Sequence, residues 1–439
     1  MNFFIAFSLH LLMQNTLVTI NDFNAITRLE TIITIADTSG KVILTDKALN
    51  NYIADKIASY LAKEGDLTLF KNYVLADIDD KILFFGRNFD LRTNKDNRLT
   101  NILTTGLKAK ADDDFAELFS KNDFSDKIGL DIKFTCLFKG SVWFDNKKQE
   151  QKNKSLHVVA TQQQKMVAKR KLIFNTQKVE LINKINAFNV ATRFISDAAY
   201  AELRSEFIDE NNKKIIPNFT KKETEVFDDD ENSHNAVRIS WISISAYAPF
   251  TNTSYSVADS FTTAFDEKKF HPWEGNVIYT YVWESKRYGK FFFSANVGGY
   301  LNNTVKNEDI DKIDLNKYKQ LGGTDTISIA QLSSDKAFVG QYKTFFTARF
   351  KGQVVYFLHG LDWIGLSLTG EQLAGDYNPL NFQLGFPMVF EGKDKDAKVN
   401  IELQLKAFDV NNTIKPDKDF GDKFSIGLSV ALPFSSIIY

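Results

Sequence analysis

The chain has 439 residues, 54 Lys and Arg against 55 Asp and Glu, and a formal net charge of -1, a balance that leaves no basic surface for a nucleic-acid partner. Mean hydropathy is -0.25, and beyond the N-terminus no uncharged run of about 18 residues occurs, which excludes a bundle of membrane-spanning helices. The aromatic content is high, with 39 Phe, 15 Tyr and 5 Trp, and aromatics favour strands and membrane-interface girdles.

In chain order, Phe3–Met13 is an apolar run of signal-peptide length, without a basic start or an A-x-A site. Residues 1–14 are expected to be a signal peptide ending near Gln14. Residues 15–65 read as a small α/β lead-in or plug. Glu30–Asp37, a turn at Thr38-Ser39-Gly40 and Lys41–Thr45 suggest a hairpin. Ala48–Lys63, with Ile53, Ile57, Tyr60 and Leu61, suggests an amphipathic helix.

Residues 66–144 read as strands at Leu67–Leu75, Ile82–Leu91, Leu99–Ala109 and Ile128–Phe144. In the last, Ile128, Leu130, Ile132, Phe134, Cys136, Phe138, Val142 and Phe144 share one face, and Gly129, Asp131, Lys133, Thr135, Lys139 and Ser141 the other. That run is long for a soluble strand of about 5–6 residues, whereas a spanning barrel strand needs about 9–11. Cys136 is the only cysteine, so neither an intrachain disulfide nor a cysteine metal cluster is possible, and its apolar face marks it as a small hydrophobe.

Residues 145–235 break the pattern and form a helical insertion, with Leu181, Ile185, Phe188, Ile195, Ala199 and Leu203 near helical spacing within Gln162–Glu210. The basic Lys169-Arg170-Lys171 is read as a solvated helix face, and the acidic Val226–Glu231 as a solvated loop. Strands resume over 236–439 as Ala236–Phe250, Asn276–Glu284, Phe291–Tyr300, Ala337–Phe350, Val354–Leu368, Phe382–Phe390, Val399–Phe408 and a terminal strand. Their connections alternate in length. Asp409–Asp422, Ser367–Asn381, Leu301–Lys336 and Thr251–Gly275 are long; Glu391–Lys398, Lys351–Gln353 and Ser285–Lys290 are shorter.

The terminal stretch alternates without a break. Phe424, Ile426, Leu428, Val430, Leu432 and Phe434 face one way, Ser425, Gly427, Ser429, Ala431 and Pro433 the other, and the chain ends on Tyr439. This resembles the closing strand of Gram-negative outer-membrane β-barrels. The resemblance implies that Gly427, Leu428, Val430, Leu432, Phe434 and Tyr439 form the assembly signal read by the barrel-assembly machinery. The Lys-, Asn- and Phe-rich composition is similar to that of envelope proteins of the Bacteroidetes group. The expected fold is an all-β transmembrane barrel of about twelve antiparallel strands, an even number as bacterial barrels have.

In such a barrel the polar faces line the lumen, bringing Asp131, Lys133, Lys139, Arg238, Glu284, Lys343, Arg349, Glu402 and Lys406 inward. Mixed signs predict weak charge selectivity. The leading expectation is an outer-membrane channel for small polar solutes with a periplasmic helical module. Its alternatives are a plugged structural or assembly barrel that binds other envelope proteins through 145–235, and a soluble secreted β-sandwich. No catalytic residue, metal or cofactor is expected. His359-Gly-Leu-Asp-Trp363 lacks the serine of twelve-stranded outer-membrane phospholipases, and Asp417–Asp422 has no calcium-loop spacing.

Overall fold

The computed structural model of the protein describes residues 17–39, 48–49, 52, 67–78, 82–93, 99–110, 128–143, 162–229, 235–250, 252–306, 310–321, 328–361, 363–376, 378–391, 398–413 and 420–434. They divide into a helical unit, from residues up to Ile53 together with Val142–Ala236, and a strand unit comprising nearly all the rest. The lead-in and the insertion, expected as separate pieces, therefore share one unit.

The helical unit contains α1 (Asn24–Ser39), α2 (Gln162–Ala191) and α3 (Asp197–Asp229). Glu30–Ser39 is helical, which overturns the hairpin expectation; Lys41–Thr45 lies outside the described residues. β-Branched Thr31, Ile32, Ile33 and Thr34 favour a strand locally. Tertiary burial decides otherwise, because Ile26, Leu29 and Ile33 recur at helical spacing and pack with Phe174, Leu181 and Ile185 of α2 and Ile215 and Phe219 of α3. The Asn212 side chain of α3 accepts the Ala25 N–H at 3.2 Å, meeting one of the unpaired donors at the start of α1. The buried guanidinium of Arg170 lies 2.9 Å from the Glu223 carboxylate, so one member of the basic triplet faces the core. Val226–Asp229, expected as loop, is the last turn of α3.

Just before α1, Asp22 fastens the chain. The Thr19 N–H donates to its carboxylate at 2.7 Å and Arg204 of α3 reaches it at 2.8 Å. The backbone donor first, and then the Arg204 charge, hold the Asp22 carboxyl below its ordinary value. The resulting stability is present above the unfolded carboxyl value of about 3.9 and is lost as pH falls through the lower folded value. Asp22→Asn should therefore cost under about 1 kcal/mol at pH 7, since both groups are partly exposed. It should also flatten the acid limb of helical-unit stability, followed by helical circular dichroism in denaturant at pH 3 and 7.

The strand unit holds β1 (Asn72–Asp77), β2 (Ile82–Asp90), β3 (Asn101–Lys110), β4 (Ile128–Leu137), the start of β5 (Ser141–Trp143), β6 (Ala236–Pro249), β7 (Thr253–Ala258), β8 (Asp266–Phe270) and β9 (Glu274–Ser285). There follow β10 (Gly289–Asn303), β11 (Asp311–Leu321), β12 (Ser328–Val339), β13 (Thr344–Phe357), β14 (Gly365–Ala374), β15 (Leu380–Glu391), β16 (Lys398–Ala407) and β17 (Phe424–Pro433). Twelve of these run in the order β4-β3-β2-β1-β17-β16-β15-β14-β13-β10-β9-β6, and pairing of β4 with β6 closes the ring. The first and last barrel strands lie side by side, Tyr73 opposite Pro433 and Asp77 opposite Ser429.

Strand number is as expected, but several boundaries move, and Ser367–Asn381, expected as a long connection, is largely β14 (Gly365–Ala374). The run expected over Ile128–Phe144 breaks after Leu137, whose N–H turns to the Thr100 carbonyl at 2.7 Å. Lys351–Gln353, expected as a turn, lies inside β13, where Lys351 faces Asn296 and Glu371 across two ladders. Thr251–Gly275 and Leu301–Lys336, expected as plain connections, contain β7, β8, β11 and β12, which form a second sheet of order β11-β12-β7-β8. There Phe338 and Val339 of β12 run parallel to Val257 and Ala258 of β7. Tyr255, Val257, Phe270 and Val305 make its buried cluster, and burial pushes the Tyr255 phenol up to about 12.

Glycines set the packing inside the barrel where rings cross the wall. A Cβ on Gly106 would come 2.3 Å from the ring of Phe84, which is fully buried with Tyr73, Leu75 and Ala431. Gly106→Ala should cost about 1–3 kcal/mol through overpacking, seen as a lower denaturant midpoint for loss of strand circular dichroism.

Candidate functional site: an apolar belt around a filled polar lumen

Each barrel strand exposes one face, and register shows which. On β4, Leu130, Ile132 and Phe134 are exposed, while Asp131, Lys133 and Thr135 between them are buried. On β16, Leu403 and Leu405 are exposed, while Asn400, Glu402, Gln404 and Lys406 are buried. β13 exposes Phe346, Phe350 and Val354 and buries Thr347, Gln353 and Val355. This inverts the arrangement of a water-soluble barrel, in which apolar groups would turn inward.

Aromatic rings bound the apolar face at both ends. At one end Trp283 and Phe291 stack at 5.3 Å, and Phe291 and Tyr356 at 4.4 Å. At the other end of the same strands Phe346 meets Trp273 at 6.0 Å. Phe346 also covers Gly299, where a Cβ would come 2.1 Å from its ring. Tyr356 and Phe346 lie ten residues apart on β13. At about 3.4 Å per residue and a tilt of about 40°, that is about 26 Å along the barrel axis. Outer-membrane barrels carry an apolar band of about 25 Å between aromatic girdles.

The lumen holds charges of both signs in contact. Arg349 pairs with Glu274 and also bonds Asn276, and Lys108 lies 3.7 Å from the same Glu274. The Lys108 ammonium stands 4.8 Å from the ring centre of Tyr247. Ser367 Oγ donates to Glu402 Oε1, and the close approach needs Gly385, since a Cβ there would come 1.9 Å from that oxygen. The hydroxyls of Thr135 and Ser243 meet at 2.8 Å across the β4–β6 seam. Glu402, Gln404, Ser367 and Ser429 have 0% relative exposure.

The chain itself also enters the lumen. Asn88 and Thr104 face inward from β2 and β3, and Thr104 Oγ1 donates to Asn88 Oδ1 at 2.6 Å. Asn88 Nδ2 then donates to the carbonyls of Thr68 and Phe70, both at 2.8 Å. Leu67, Thr68, Leu69 and Phe70 are each exposed by 2% or less. The segment leading into β1 is thus tucked along the lumen side of β2. Several lumen atoms nevertheless lack a protein partner among the described residues: both amide atoms of Gln404, Asn400 Oδ1 and Glu402 Oε2. Each such atom costs about 1–3 kcal/mol until something bonds it.

Of the nine charged residues expected to line the lumen, Asp131, Lys133, Glu402 and Lys406 are buried on inward faces. Arg349 is inward in the Glu274 cluster, and Glu284 faces Lys290 in register on the inward side. Arg238 falls on the strand parity of Ile242 and Ile244, the outward set, so it departs from the expectation. Lys139 and Lys343 lie in connections after β4 and before β13 and are exposed. In the terminal strand Leu432 and Phe434 are exposed and Gly427 is buried; Tyr439 lies outside the described residues. Lys108, Glu274, Asn88 and Gln404 were not expected. Lys108 was within reach, because it alternates with Leu107 on a recognised strand; Glu274 fell in a stretch read as a connection, and the amides carry no sequence signal of their own.

A single charge on the exposed face tests what surrounds it. Ile132→Lys should destabilise the folded barrel by about 2–4 kcal/mol in lipid vesicles, the cost of a lysine near mid-bilayer, while Lys133→Ile on the opposite face should not show this depth-dependent cost. Folded fraction by heat-modifiable gel mobility across a denaturant series reads both.

No family model matches the chain, and no curated protein is similar to it. Its geometry is that of a closed twelve-stranded antiparallel barrel, consistent with the outer-membrane type.

Proposed function

We propose that the protein is an integral outer-membrane barrel of a Gram-negative cell, closed at rest by its own chain, and that it is a gated route for small polar solutes rather than an open pore. The observation that carries this reading is the inward-turned Leu67–Phe70 segment clamped by Asn88 inside the barrel. The apolar belt supports the membrane placement, with lipid as its partner. The barrel-assembly machinery would read β17.

The C-terminal end of the barrel also carries the departure to the helical unit after β4 and the return at β6, while the connections holding β7, β8, β11 and β12 leave from the opposite end. With the C-terminus periplasmic, the helical unit is a periplasmic module for other envelope proteins and the second sheet faces outward. No catalytic role is proposed.

A permanently closed structural barrel is the second reading, favoured by the fully buried Glu402, Gln404, Ser367 and Ser429. Planar-bilayer recording separates the two. Wild-type protein should insert with little conductance. Asn88→Ala removes the clamp and should raise open probability at least ten-fold. A folded, inserted Asn88→Ala barrel that stays silent would leave the structural reading in place.

A further inference from the structure

The charges of the lumen are not evenly spread. The contacts of Arg349, Glu274 and Lys108 tie together β3, β9 and β13. The wall made by β15, β16 and β17 is different. Gln404 sits between two glycines, opposite Gly385 on one neighbour and Gly427 on the other. Neither glycine brings a side chain of its own against Gln404, and the Glu402 and Ser367 side chains stand over Gly385. Asn400, Glu402 and Gln404 follow one another on the inward face of β16, about 6.8 Å apart. All are at least nine-tenths buried. Together they offer an unbonded amide donor and acceptor on Gln404, an amide acceptor on Asn400 and a carboxylate acceptor on Glu402.

That set of groups selects a chemistry. An anion has no hydrogen to give Asn400 or Glu402, and a simple cation has no lone pair for the Gln404 amide N–H. A hydroxyl both donates and accepts, so a row of hydroxyls can satisfy all of these atoms at once. We infer that the β15–β17 wall is a binding subsite for a neutral polyhydroxylated solute of the sugar class, reached when the Leu67–Phe70 segment leaves the lumen. This rests on the gated-barrel reading and adds the identity of the solute.

The test uses the full chain in proteoliposomes, with sucrose as the neutral probe and KCl as the ionic one. Three preparations are compared: Asn88→Ala alone, Asn88→Ala with Gln404→Leu, and Asn88→Ala with Asn400→Leu. Sucrose-driven swelling and KCl conductance are measured on each, and heat-modifiable mobility confirms folding. The sucrose-to-KCl ratio should fall at least five-fold in either double variant that folds. A ratio within two-fold of the Asn88→Ala value overturns the subsite, as does an Asn88→Ala barrel that conducts KCl but excludes sucrose. A folded Asn88→Ala barrel that passes neither probe overturns the proposed access route and the gated reading together. Failure of every form, wild type included, to insert overturns the membrane reading and the subsite with it.

Discussion

The rest of the structure depends on closure. A strand in a non-aqueous surround has no water to meet its N–H and C=O groups, so every edge must find a partner. Here two seams complete the ring. Tyr73–Asp77 pairs with Ser429–Pro433, joining the first strand to the last, and Gly129–Leu137 pairs with Trp241–Pro249 across the departure to the helices. The second seam is the more demanding, since nearly a hundred residues separate its strands and the loop-closure cost grows with that separation, though slowly. The intervening chain includes α2 and α3, which pack with α1 around a core of their own.

Closure also turns the polar faces toward one another. A lumen lined by Lys108, Glu274, Arg349 and Glu402 must neutralise its charges internally, and Glu274 does so with two cations. Breaking one member of such a group leaves the others buried without compensation. The β16 amides follow another logic: Gln404 and Asn400 leave hydrogen-bonding capacity unspent. The two regions of the wall therefore differ in kind, one built on ion pairs between strands, the other on buried amides.

Much of this was legible in the sequence where alternation is strict. Phe382–Phe390, Val399–Leu405 and Phe424–Phe434 have one oily face and one polar face, and their register follows the expected sides. The reading failed where both faces look alike. Val354–Leu358 is apolar throughout, so nothing in the pattern showed that β13 begins at Thr344 and ends at Phe357. Asp311–Leu321 is rich in Lys and Asp and reads as solvent-exposed loop, yet it pairs with β12 along its length. Ile26, Leu29 and Ile33 had helical spacing, but the β-branched residues between them masked it, and only the packing of α2 and α3 decides the outcome. Arg238 shows the limit of a charge-equals-lumen rule, since parity, not residue type, fixes the face.

The parallel contact of Phe338 and Val339 with Val257 and Ala258 joins two excursions that leave different hairpins of the barrel. Strand hydrogen bonds therefore link the two excursions as well as the strands within each, so displacing β7 would strip β12 of its neighbour on that edge, and the pair behaves as one sheet built from two separate stretches of chain.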